Sequence, residues 1–238
     1  MVIARGGAAD APENTIAAFE LALEQGADGL EIPVHLSRDG QPVVIRDFTL
    51  ERTSDGAGPV AAFTMRELKR LDAGGWAGRR YRGHRIQTLQ EVFERFRSRT
   101  RFWVELRGGS DLYPDIGERV VSTIEVYEVL DRTLVQSLDH RALTAMRERS
   151  SEVRLGALVI GAAMNLSPDV PHGLQAVSFD LATASEAGVR GTREAGLESY
   201  VFTVREPVHV DRLAGWKLDG IITDRPGPVA ARLGRSVA

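Results

Sequence analysis

Short apolar runs alternate with amphipathic segments from one end of the chain to the other. Runs with strand character fall at 2–4, 29–36, 102–106, 133–136, 154–158, 176–179, 200–204 and 220–223. Between them, apolar residues recur every three or four positions, and that spacing predicts helices over 15–25, 89–96, 117–129, 140–148, 185–195, 207–214 and 226–233. Helix starts are signalled locally. "PENT" before Ile16 joins a proline, an acid and a capping-type side chain, and "TDRPG" repeats the device near the C-terminus. Strands separated by helices imply right-handed βαβ units and a parallel sheet. Eight of them in 238 residues predict a closed (β/α)₈ TIM barrel, one domain over 1–238. An open doubly wound sheet would need a glycine-rich phosphate loop at its first turn, and "ARGGAAD" matches that fingerprint poorly. Residues 39–88 break the rhythm. They hold a second apolar run (42–45), the turn-rich "TSDGAGP" and a short helical pattern (64–71), and they read as an excursion over one barrel end after the second strand.

Composition narrows the partners. The chain is 43% hydrophobic and 26% charged with a net charge of −3, the profile of a globular domain without a nucleic-acid footprint or a polybasic membrane anchor. It has no cysteine, which excludes disulfides, thiolate nucleophiles and zinc–thiolate sites. No apolar stretch is long enough for a transmembrane segment, and no signal peptide precedes the first strand, so a cytoplasmic protein is expected.

Chemistry in a barrel belongs at the C-terminal ends of the strands. The candidates there are Arg5, Glu31, Pro33, His35, Arg46, Asp47, Glu105, Arg107 and Asp180. Glu31 and Glu105 lie among apolar neighbours, where an unpaired charge is costly. They are either halves of structural salt bridges or carboxylates converging on a hard cation or a proton.

The chain carries "RGG…PENTIAAFELALEQGADGLEIPVHLSRDGQPVVIRDFTLERTSDG", then "IQTLQEVFE", "FWVELRG", "LVQSLDH" and "FTVREP…LDGIITDRPG" in order. In these motifs it resembles the glycerophosphodiester phosphodiesterase family over essentially its whole length. The resemblance implies a (β/α)₈ barrel that hydrolyses glycerophosphodiesters to glycerol 3-phosphate and an alcohol. It also implies a calcium or magnesium ion held by three carboxylates, and two histidines as acid and base. Carried over position by position, the first histidine falls on Ala4 and the second on Arg46, beside the retained Asp47. The glutamate–x–aspartate metal pair falls on Glu31 and Pro33. The third metal ligand is Glu105, and the phosphate-binding lysine is Arg107.

These replacements remove the proton chemistry. Alanine carries no proton, and a guanidinium stays charged at any workable pH. Losing one acid/base group costs on the order of 10²–10⁴ in rate, and both are replaced. Two carboxylates in place of three weaken a hard-cation site, so no cofactor is expected, the alternative being a retained Ca²⁺ or Mg²⁺. The Arg46 guanidinium, with Arg5, is expected to pair with Glu31 and Glu105 where the ion would sit. His35 shares the inward face with Glu31 and is the candidate for a relocated acid/base or for a packed core histidine. Arg5 and Arg107 are candidate phosphate grips. Trp76, Trp103 and Phe202 are candidates for an apolar pocket wall. His84, His140, His172 and His209 read as surface residues. Two functions follow: a barrel that has lost metal-dependent hydrolysis and binds a small phosphorylated or lipid-like molecule or transforms it without metal, or an active phosphoric diester hydrolase with a rewired site.

Overall fold

In a computed structural model, which describes residues 1–161 and 172–235, ten strands form: β1 (Val2–Arg5), β2 (Gly29–Leu36), β3 (Pro42–Val44), β4 (Gln87–Thr88), β5 (Arg101–Leu106), β6 (Thr133–Ser137), β7 (Arg154–Val159), β8 (Ala176–Asp180), β9 (Glu198–Phe202) and β10 (Gly220–Thr223). Eight of these are parallel and close into a barrel. β1 pairs with β10 on one side and β2 on the other, and the ring runs on through β5, β6, β7, β8 and β9. The expected (β/α)₈ architecture is therefore present, and closure leaves the barrel without an exposed edge. β3 and β4 are an antiparallel flap on the end of β2, with Val34 opposite Val44 and Val43 opposite Thr88. The single-domain reading over 1–238 extends past the described residues at 162–171 and 236–238.

The helices form where their caps direct. The Thr15 side chain accepts from the Ala18 N–H to open Ile16–Glu24, and Thr88 with Glu91 makes a full capping box at the head of Leu89–Phe96. Asp139 and Ser185 cap His140–Arg149 and Glu186–Glu194, while Pro207 and Pro226 stand in the first turns of the last two helices. The one notable shift from expectation is β9, which starts at Glu198 rather than at Tyr200. Glu198 reads as a loop residue, but inside the barrel floor it meets Arg154 at 2.7 Å.

Two apolar layers result from the period-two alternation of the strands. The outward residues, such as Leu30, Ile32, Val34, Phe102 and Val104, pack under Phe19, Phe93, Phe96 and Val120 of the helices. The inward ones, Ile3, Trp103, Leu134, Ala176, Tyr200 and Ile222, fill the lumen. Glycine is required beside them, since a Cβ at Gly29 would stand 2.3 Å from the Trp103 ring. The excursion carries its own small core of Val43, Ile45, Leu50, Val60, Met65, Leu68, Ala73 and Ile86. No helix among the described residues is long and apolar enough to cross a membrane.

Candidate functional site

Above the lumen core, register builds the site. Arg5 stands opposite Glu31 on the β1–β2 seam, and Glu105 stands opposite Pro33 on the β2–β5 seam. A cavity of about 100 Å³ opens there. Arg5, Glu31, Glu105, Arg107 and Gln136 form its polar side, and Leu138, Leu158, Ile160, Phe202 and Ile222 its apolar side. Trp103 is not in it. It is 2% exposed, one register step below, where its ring meets Tyr200 edge-on. Trp76 lies outside the cavity on the excursion, so of the three candidate wall aromatics only Phe202 lines it.

The two carboxylates are 1% and 5% exposed. Burial, and then the charge of Glu105, push Glu31 up to about 8. Glu105 goes the other way: burial alone would raise it, but the hydrogen bond from Glu31 and the Arg107 guanidinium hold it below the usual range. Burial thus drives Glu31 toward its neutral form, while Arg107 holds Glu105 toward its ionised one. The cation that answers it is Arg107, whose Nη1 donates to Glu105 Oε1 at 2.7 Å while its Nε donates to the Arg46 carbonyl at 3.2 Å. This corrects the expected Arg46 pairing. Among the described residues neither Arg46 nor Arg5 lies within 4.0 Å of a carboxylate oxygen, and Arg107, two residues along the strand from Glu105, reaches it first. The Arg46 guanidinium rests beside Gly6, with Nη2 3.6 Å from where a Cβ would stand. Its Nε and Glu31 Oε2 are buried without hydrogen-bond partners. Burial lowers the Arg5 guanidinium, with Glu31 opposing.

His35 is fully buried and spoken for on both ring nitrogens. Nδ1 faces the Tyr113 hydroxyl at 3.2 Å and Nε2 the Arg46 carbonyl at 3.1 Å. Burial drives it down to about 4, so it is neutral at pH 7, and it is not among the residues that line the cavity. Asp47 pairs with Arg52 rather than Arg46, at 2.5 and 2.8 Å, and Arg52 also grips Glu13 at 2.7 and 2.9 Å. That clamp ties the flap to the β1 loop. Arg52 and Tyr113 were invisible as partners in the sequence, although Arg52 sits inside the quoted "TLERT". Asp180 caps its own turn, accepting from Ala182 N–H. Of the four outlying histidines only His172 is fully exposed. His84, His140 and His209 are half-buried, His140 through a contact with the Leu158 carbonyl.

No group of three or more His, Cys, Asp or Glu side chains that could hold a metal exists among the described residues. Glu105 is taken by Arg107, and three guanidiniums lie around the pair. Three guanidiniums against a carboxylate pair of which one member is driven toward its neutral form tip the mouth toward positive charge, which suits an anion.

The profile of the glycerophosphoryl diester phosphodiesterase family matches residues 5–228. A glycerophosphodiester phosphodiesterase of Caldanaerobacter subterraneus is 36% identical over 233 residues, covering 95% of this chain and 94% of its own. One from Bacillus altitudinis is 32% identical over 236 residues, covering 93% of each. Among solved structures, an Oleispira antarctica phosphodiesterase in complex with the product sn-glycerol-3-phosphate superposes with a TM-score of 0.92 at 28% identity, covering 98% of this chain and 96% of that one.

Proposed function

The chain belongs to the glycerophosphoryl diester phosphodiesterase family, and from that premise we propose that its barrel mouth binds a small phosphorylated molecule without a metal ion and has lost metal-dependent hydrolysis. One observation carries the reading: Arg5 and Arg107 line the cavity beside the buried Glu31–Glu105 pair, and with Arg46 acting on Glu31 from nearby the guanidiniums are in excess over the carboxylates. A phosphate dianion balances that excess, and guanidiniums are the side chains best shaped to grip it. The apolar wall of Leu138, Leu158, Ile160 and Phe202 then receives the uncharged part of the molecule. Proton chemistry of the family kind has no carrier here. Ala4 and Arg46 stand where the resemblance places the two histidines, and His35 is tied through both ring nitrogens. A metal-free transformation of the bound molecule is a second reading, favoured by Glu31, driven toward its neutral form, beside Glu105, held toward its ionised one.

The test is a calorimetric titration with sn-glycerol 3-phosphate in excess EDTA, beside an assay for glycerol 3-phosphate release from glycerophosphocholine with Ca²⁺ or Mg²⁺. We expect binding in EDTA, weakened about tenfold or more by Arg5→Ala, since a charge-assisted hydrogen bond is worth about 1.5–3 kcal/mol. We expect no release above the uncatalysed rate. Metal-dependent release by the wild-type chain overturns the proposal. Conversion of the bound molecule in EDTA supports the second reading.

A further inference from the structure

The excursion contains a feature that the pocket does not use. Between Asp72 and Glu91 there is no acidic residue, and "GWAGRRYRGHR" places Arg79, Arg80, Arg82 and Arg85 within seven positions. All four are exposed, and none is in an ion pair among the described residues. Arg80 stacks over the Tyr81 ring at 4.6 Å and Arg85 donates to the Arg70 and Leu71 carbonyls, while the Arg79 and Arg82 guanidiniums have no hydrogen-bond partner among the described residues. The whole-chain charge of −3 hides this local concentration. Nearby acids are already engaged: Asp72 accepts from the Gly74 and Gly75 N–H groups, and Asp10 from Gln25.

The loop sits at the mouth end. The Tyr81 hydroxyl and Arg80 both donate to the Asp10 carbonyl, in the connection that follows β1, and Ala9 in the same connection bonds Asp224 just after β10. Trp76 belongs to the same loop and is 45% exposed. Its indole N–H is turned inward onto the Ala73 carbonyl, so what it shows to solvent is the apolar ring. The other strongly exposed large apolar side chains cluster at this end as well. Phe48, Leu112, Leu138 and Ile160 lie in connections that leave the C-terminal ends of barrel strands, and Val208 in the first turn of the helix after β9. Among the described residues, Met1, Val126 and Leu233 lie elsewhere. One end of the molecule thus combines uncompensated arginines with exposed aromatic and aliphatic rings, the pairing that suits an interface of anionic headgroups and acyl chains.

We propose that the mouth end docks on the surface of an anionic phospholipid bilayer, with Arg79 and Arg82 on the headgroups and Trp76 among the outer acyl carbons. Docking there turns the pocket toward the membrane and leaves the barrel floor in water. The charge decides between surfaces: an uncharged bilayer would leave the two partnerless guanidiniums facing nothing.

Flotation of the full chain with vesicles of equal parts phosphatidylglycerol and phosphatidylcholine tests this, with pure phosphatidylcholine as the reference. We expect binding to the anionic vesicles alone, falling with added salt and accompanied by a blue shift of tryptophan emission that Trp76→Ala removes. Arg79→Ala and Arg82→Ala each weaken binding about fivefold and together about 25-fold, at about 1 kcal/mol per basic residue. Leu233→Ser on the opposite end leaves it unchanged. All these positions are exposed, and an unchanged melting temperature verifies the fold. The proposal is overturned if anionic vesicles do not bind at low salt, or if the double arginine variant binds them as tightly as the wild type. It is also overturned if a single-stranded oligonucleotide binds through these arginines more tightly than the vesicles do. No pocket ligand enters this assay, so its failure is separable from failure of phosphate binding.

Discussion

The barrel lumen holds charge at both ends, and the two ends handle it differently. At the floor, Arg154 and Glu198 meet at 2.7 Å and the Tyr200 hydroxyl donates to the same carboxylate at 2.8 Å. One cation here meets one anion in direct contact. At the mouth, one carboxylate pair faces three guanidiniums, only one of them in contact, and two buried polar atoms have no partner. The same strands build both ends, so the difference is one of purpose rather than of fold. Buried polar groups are ordinarily paired, so unpaired ones beside a cavity mark places where a ligand could complete them.

Removing a cation at each end should separate them most strongly. Arg107→Ala leaves the Glu105 carboxylate, 7% exposed, without its cation, and we expect a loss of about 3 kcal/mol in urea unfolding. Arg154→Ala acts on a pair whose side chains are 30% and 36% exposed and should cost about 1 kcal/mol. Adding Glu105→Gln to Arg107→Ala should recover most of the loss. Equal costs at the two ends would break the comparison.

The next effects are in pH. His35 is lowered from 6.5 to about 4, so between those values the unfolded chain binds the proton that the folded one refuses. Its share of stability is complete above pH 6.5 and lost as pH falls toward 4, and His35→Gln should flatten that limb of the melting profile. Glu31 acts in the opposite sense. With its carboxyl raised from 4.5 to about 8, the folded chain keeps a proton that the unfolded one has released, so stability falls as pH rises across that window. Glu31→Gln should remove the fall, leaving the variant more stable than the wild type at pH 8 and no more so at pH 4. A wild-type profile that does not fall there would show that Glu31 is ionised and the mouth less positive than described. The smallest effect is at the exposed floor-side helix end, where Leu233→Ser should change stability by less than about 0.5 kcal/mol.

The architecture was readable because its signal is repeated. Each βα unit alternates period two with period 3.6, and β2 and β10 fall at the predicted 29–36 and 220–223. The carboxylates and Arg107 were readable as residues of the barrel mouth, where they line the cavity, because charges among apolar strand residues are conspicuous. What escaped was pairing. Arg107 reaches Glu105 before Arg46 does because of where the flap carries Arg46, and sequence spacing does not encode the path of a fifty-residue loop. Trp103 and Glu105 share an inward face, but depth along the barrel axis puts one in closed core and the other in the mouth. The arginines of residues 79–85 escaped because a whole-chain charge averages over them.

Pro33 sits where β2 changes partners. The β1 seam ends with the Gly6 N–H on the Glu31 carbonyl, and the flap seam begins with the Ile45 N–H on the Pro33 carbonyl. A strand residue directs its N–H and its C=O to the same side, so the amide hydrogen that proline lacks would point into the gap between those two seams, away from the β5 ladder. The backbone at this position is thus indifferent to whether an imino or an amino acid stands there. An aspartate placed there by mutation would keep every ladder hydrogen bond that Pro33 makes.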